Sequence, residues 1–112
     1  MIAEKFELSI ARDFTNVPGP RHRSEGDYSG EEFLDKLLRP RFEEALKSDA
    51  LLRVNLDGAV GYPTSFLEQA FGGLAREFGP EEVDRHLEVT CTDEPYLVEQ
   101  IRNYIRDARK KR

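Results

Sequence analysis

The chain has 112 residues, 35% of them charged and 38% apolar, and a formal net charge of -5; that length suits one domain built on a single core. The acid excess excludes a surface-wide nucleic-acid footprint, and one cysteine (Cys91) with two histidines (His22, His86) leaves neither an internal disulfide nor a zinc spacing. No apolar run nears the ~20 residues of a membrane span and no signal peptide precedes the first strand, so a cytoplasmic protein without membrane contact, metal or cofactor is expected.

In chain order, Lys5 to Ala11 alternates Phe6, Leu8 and Ile10 with Glu7 and Ser9, which predicts a half-buried strand. A long loop, Arg12 to Tyr28, follows and carries Arg21, His22 and Arg23. Ser29-Gly30-Glu31-Glu32 has the spacing of a capping box. It opens a helix with the apolar stripe Phe33, Leu34, Leu37, Leu38, Phe42, Ala45 and Leu46. Pro40 falls inside that stripe, which continues on both sides, so a kink is expected and not two helices. Leu52, Val54 and Leu56 alternate with Arg53 and Asn55 as a second strand. After the loop Asp57 to Pro63, a second helix runs from about Ser65 to Phe78 and stops at Gly79-Pro80. Leu87, Val89 and Cys91 mark a third strand, with Cys91 on its apolar side. A third helix opens near Asp93 with Pro95 in its first turn and ends in the basic tail Arg106, Arg109, Lys110, Lys111 and Arg112.

Strand–helix–strand units imply parallel neighbours joined by crossovers. Strands buried on both faces would read as continuous apolar runs. These alternate, so the expected fold is α/β: a single domain over 1–112 with a small, mostly parallel or mixed sheet and helices mainly on one face. Parallel strands send the loops 12–28 and 57–63 to one edge of the sheet, where ligands and partners of open α/β sheets commonly bind. Thr64 and Ser65 stand there at a helix start, as a cap or as a regulated site, and Ser65 with Glu68 has the spacing of a second capping box. Gly72 and Gly73 are costly inside a helix, and permit close approach by a partner's backbone or by the protein's own.

Several stretches carry a resemblance: "PGPRHR" (Pro18 to Arg23), Gly26, "SGEEF" (Ser29 to Phe33), and Asp57-Gly58 through "SFLEQAFGGL" (Ser65 to Leu74). On these the chain resembles a STAS domain, the sulphate-transporter and anti-sigma-factor-antagonist fold, and more closely the bacterial STAS-like family of unknown function. The resemblance implies a regulatory fold. Related antagonist domains dock on histidine-kinase-like ATPases and are switched by phosphorylation of a Ser or Thr opening the second helix, in an Asp-Ser-Ser-Gly motif. Here the motif reads Pro63-Thr64-Ser65-Phe66, so Thr64 takes the acceptor position with Ser65 beside it, while Pro63 and Phe66 depart from the pattern.

Three function classes follow. A protein-interaction module would use Asp57, Tyr62, Phe66, Gly72 and Gly73 for its partner and Thr64 or Ser65 as phospho-acceptor. An anion or nucleotide binder would use Arg21, Arg23 and the N–H groups near Thr64, without any Gly-rich phosphate loop. An enzyme would need a base and an orienter for a nucleophile, and nothing near Asp57, Glu68 and the hydroxyls supplies them. The interaction module is the expectation, and no catalytic activity is expected.

Overall fold

A computed structural model describes residues 5–108. Within them, β1 (Lys5–Ser9), β2 (Leu51–Asn55) and β3 (Leu87–Thr90) form one sheet in the order β1-β2-β3, with both pairs parallel. The register aligns Leu8, Val54 and Val89 in one row and Glu7, Arg53 and Glu88 in the neighbouring row. The first row packs into the core. The second faces away from it, and Arg53 joins Glu88 at 3.0 Å and Glu7 at 3.6 Å. All-parallel sheets are usually covered on both faces; here the outward positions are polar, so that face is stable in water. The α/β expectation holds, with helices on one face.

The first strand is shorter than its alternation predicts. Ser9 ends it by capping α1 (Ile10–Asp13): its Oγ accepts the Arg12 N–H at 3.1 Å, and Asp13 accepts the Ser9 N–H at 2.9 Å. Helix α2 covers 30–47 and consists of Gly30–Phe33, a π turn at Leu34–Leu38, and Arg39–Lys47. The chain passes Pro40 unbroken. The π turn just before it, closed by the Arg39 N–H on the Leu34 carbonyl, accommodates a residue that has no N–H to give. Helix α3 covers 64–78 in the same pattern: Thr64–Leu67, a π turn at Glu68–Gly72, and Gly73–Phe78.

Gly79-Pro80 ends α3 as expected but also begins α4 (Pro80–His86), which the sequence reading missed. Gly79 takes φ +95°, the left-handed region that turns the chain, and Pro80 suits the first turn of the next helix. Helix α5 (Tyr96–Asp107) follows β3 and starts three residues later than predicted. The tail residues Arg109, Lys110, Lys111 and Arg112 lie outside the described residues. No helix among the described residues is long and apolar enough to cross a membrane.

One apolar cluster joins the sheet to the helices, and aromatic rings occupy its centre. Phe33 of α2 and Phe66 of α3 stack with centroids 5.9 Å apart, and Phe14 packs on both. Two glycines set the approach of these helices. A Cβ on Gly30 would meet the Phe66 carbonyl oxygen at 2.5 Å, and one on Gly73 would meet Leu34 Cδ2 at 2.8 Å.

Candidate functional site

All three strands are parallel, so the loops leaving their C-terminal ends share one edge of the sheet. Hydrogen bonds lock those loops together. The Val60 N–H donates to the Asn16 carbonyl at 2.8 Å, joining the second loop to the first. The Asp57 carboxylate accepts the N–H groups of Thr92 and Asp93, each at 2.8 Å, joining it to the third. In return, Asp93 accepts the Gly58 N–H at 3.3 Å. These backbone donors hold the Asp57 carboxyl below its ordinary pKa, so it is ionised at neutral pH. Tyr62 points inward: its hydroxyl donates to the Leu56 carbonyl at 2.7 Å, and burial pushes its phenol pKa well up. Cys91 follows β3 and is half-buried. It accepts the Glu94 N–H at 3.4 Å, and burial raises its thiol pKa.

Thr64 and Ser65 open α3 on this edge, yet neither caps it. Pro63, extended at φ -60° and ψ 140°, is the cap residue, and its carbonyl accepts the N–H groups of Phe66 and Leu67. Thr64 is exposed and Ser65 is half-buried. The Ser65–Glu68 capping box does not form, because Glu68 turns to two arginines. Arg76 meets it at 2.8 Å, and Arg21 donates to its other oxygen and to Gln69 at 3.5 Å. Burial opposes ionisation of Glu68, but the Arg76 and Arg21 hydrogen bonds outweigh it and hold the carboxyl below its ordinary pKa. Phe66, Ala70, Phe71 and Gly72 are buried beneath this surface. A Cβ on Gly72 would come within 2.9 Å of the Glu68 carboxylate, so the glycine leaves room for that ion pair, while Gly73 accommodates Leu34 of α2.

The first loop is spent on α2. The Pro20 and Arg21 carbonyls accept the N–H groups of Gly30 and Glu31, and the buried Ser29 Oγ accepts that of Glu32 at 3.0 Å. The Ser29 cap is as expected, but Glu32 pairs with Lys36 at 3.0 Å, and that bond lowers its pKa. Arg23 pairs with Asp35 at 3.3 Å, and Asp35 in turn with Arg39. The structure thus separates the two candidate arginines: Arg21 reaches α3 and Arg23 reaches α2. His22 lies 3.5 Å from Glu31, and the buried His86 contacts the Ala50 carbonyl at 2.9 Å.

The apolar residues of the same edge escaped the sequence reading. Val60 is 80% exposed, Tyr96 64%, Val17 59% and Tyr28 47%, and these are the exposed large hydrophobics among the described residues. All four lie on the loops and helix starts at the C-terminal end of the strands. The available signal was a valine between Gly58 and Gly61, in a segment too rich in turn residues to be strand.

Residues 29–97 match the model of the STAS-like domain of unknown function (DUF4325). The chain belongs to that family. No curated protein and no solved structure matches it. The matched stretch of the STAS-like domain begins at the Ser29 cap and includes the Asp57 loop, Thr64, Ser65 and both α3 glycines, while Arg21 and Arg23 precede it.

Proposed function

We propose that this STAS-like domain is a cytoplasmic, non-enzymatic regulatory module. It docks a protein partner on the C-terminal edge of its sheet and the start of α3, and is released by phosphorylation there. The observation that carries this reading is the placement of Val17, Tyr28, Val60 and Tyr96, all exposed and all on that edge. Scattered exposed apolar residues need no explanation, but a set confined to one edge marks an interaction surface. Asp57 frames that surface. Tyr62, Phe66, Gly72 and Gly73 support it from within, since the phenol, the ring and the glycines face the protein's own groups.

Thr64 is the first acceptor and Ser65 the second. Thr64 is exposed, and the N–H groups of Thr64 and Ser65 donate no hydrogen bond among the described residues. A phosphate there adds about -1.5 to -2 charges beside free donors and the positive end of the helix, so the fold accommodates it. A partner packed against the start of α3 meets the bulk and the tightly held hydration of the phosphate and leaves. The partner class implied by the family resemblance is a histidine-kinase-like ATPase from the same bacterial cell. Native purification with partner identification and phosphate mapping tests this, alongside Thr64→Ala and Thr64→Glu. An ATPase retained by Thr64→Ala and lost by Thr64→Glu, with unchanged thermal melts, is the expected result. Equal retention by both variants refutes the switch.

A further inference from the structure

The charge on this docking edge defines the chemistry of its partner, given the docking reading above. The edge is cross-linked by hydrogen bonds: the second loop is bonded to both neighbouring loops and, through Tyr62, to the end of its own strand. Val60 is therefore held in the open. The same two loops carry three carboxylates: Asp57 and Asp93 where the loops meet, and Glu94 beside Tyr96. They accept backbone N–H groups or, for Glu94, the Tyr96 hydroxyl at 3.4 Å. None forms an ion pair with a Lys, Arg or His among the described residues. The basic residues of the first loop do not compensate them, since Arg12 is paired with Asp13, Arg21 with Glu68, and Arg23 with Asp35.

We infer that the partner presents a basic, apolar protein segment: a large aliphatic or aromatic side chain set against Val60 and Tyr96, with Lys or Arg reaching Asp57, Asp93 and Glu94. Asp57 and Asp93 are pre-positioned by backbone N–H groups and Glu94 touches the Tyr96 hydroxyl, so a guanidinium gains a charge-assisted hydrogen bond at little ordering cost. The exposed Tyr96 ring offers a face to the same cation. Nucleic acid and anionic lipid have the same sign as this edge and are repelled by it.

The test is selection of a displayed random-peptide library on the full chain at low salt. The selected peptides are then titrated against the parent, Val60→Ser and the double variant Asp93→Asn/Glu94→Gln. These positions are on the surface, and thermal melts matching the parent verify the fold. Peptides carrying Lys or Arg beside a large apolar residue are expected. Each variant should bind them about tenfold more weakly, and added salt should weaken the parent as it screens the pairs. Acidic or uncharged peptides that still lose affinity in Val60→Ser would overturn the charge inference and leave the docking edge standing. Peptides indifferent to Val60, or no enrichment at all, would overturn both.

Discussion

Gly61 and Gly73 separate what the fold needs from what a partner needs. A Cβ on Gly73 lies 2.8 Å from Leu34 Cδ2, inside the α2–α3 contact, whereas a Cβ on Gly61 meets nothing within 4 Å. In Gly73→Leu the helix gains about 1 kcal/mol of intrinsic propensity. Against that, Leu34 is buried and cannot swing into water, so a whole isobutyl group has to be inserted into a filled interface. Overpacking of this kind costs about 1–3 kcal/mol, and more where backbones must part. The net expectation is a loss of up to about 2 kcal/mol, which lowers Tm by up to about 10 °C for a domain of this size. Gly61→Leu should stay within about 0.5 kcal/mol of the parent yet place a bulky side chain beside Val60. Thermal and urea melts followed by circular dichroism measure the first effect, and partner capture measures the second. A Gly73→Leu melt at or above the parent temperature would refute this, because the glycine would then not be required by helix packing.

Ser29→Ala removes a fully buried cap oxygen and leaves the Glu32 N–H unpaired, so a loss of about 1–2 kcal/mol is expected in urea denaturation. The carboxyls of Asp13, Glu32, Asp57 and Glu68 all sit below their ordinary pKa in the folded chain. Their stabilisation is complete above the ordinary carboxylate range of about 4–4.5 and is lost as pH falls through the folded values. Melts of Asp57→Asn between neutral and acid pH should start lower than the parent and converge on it in acid; a constant offset would deny Asp57 its charge-dependent role. Glu68→Gln frees both Arg21 and Arg76 from a carboxylate, and phosphate titration by calorimetry should then show binding at least about tenfold tighter than the parent. Equal affinities would mean that Glu68 does not hold the arginines away from anions.

How much of this could be read beforehand depends on how local each feature is. The strands were legible because Leu8, Leu52, Val54 and Leu87 alternate with polar residues, and β1 was overrun only because Ser9 both continues the alternation and caps a turn. Helix α4 was missed because a Gly-Pro pair that ends one helix also suits the start of another. The two hydroxyls of α3 lost their capping role to Pro63, whose fixed φ holds its carbonyl ready for two N–H groups. The π turns leave no trace in an apolar stripe only a few turns long. Arg21 and Glu68 are 47 positions apart, so no local pattern pairs them. Val60 escaped for a different reason: periodicity detects what is buried, and this residue is informative because it is not.

The charge balance along the C-terminal edge favours the proposed protein docking over an anion seat. An anion seat needs cations with unspent donors, and the loop that supplies Arg21 and Arg23 delivers both to carboxylates of α3 and α2. Any phosphate bound there has to displace Glu68, which is only 16% exposed, or Asp35, which Arg39 also holds. A carboxylate so displaced would give up its partner without regaining full hydration, a cost the incoming anion must offset. At the second and third loops the imbalance has the opposite sign. Asp57 spends its charge on backbone N–H groups, which organise it without neutralising it, and Asp93 and Glu94 add to the surplus. Arg21 and Arg23 thus serve as struts, while Asp57, Asp93 and Glu94 have no Lys, Arg or His partner among the described residues. Such a surface meets a basic protein segment at lower cost than it meets a nucleotide.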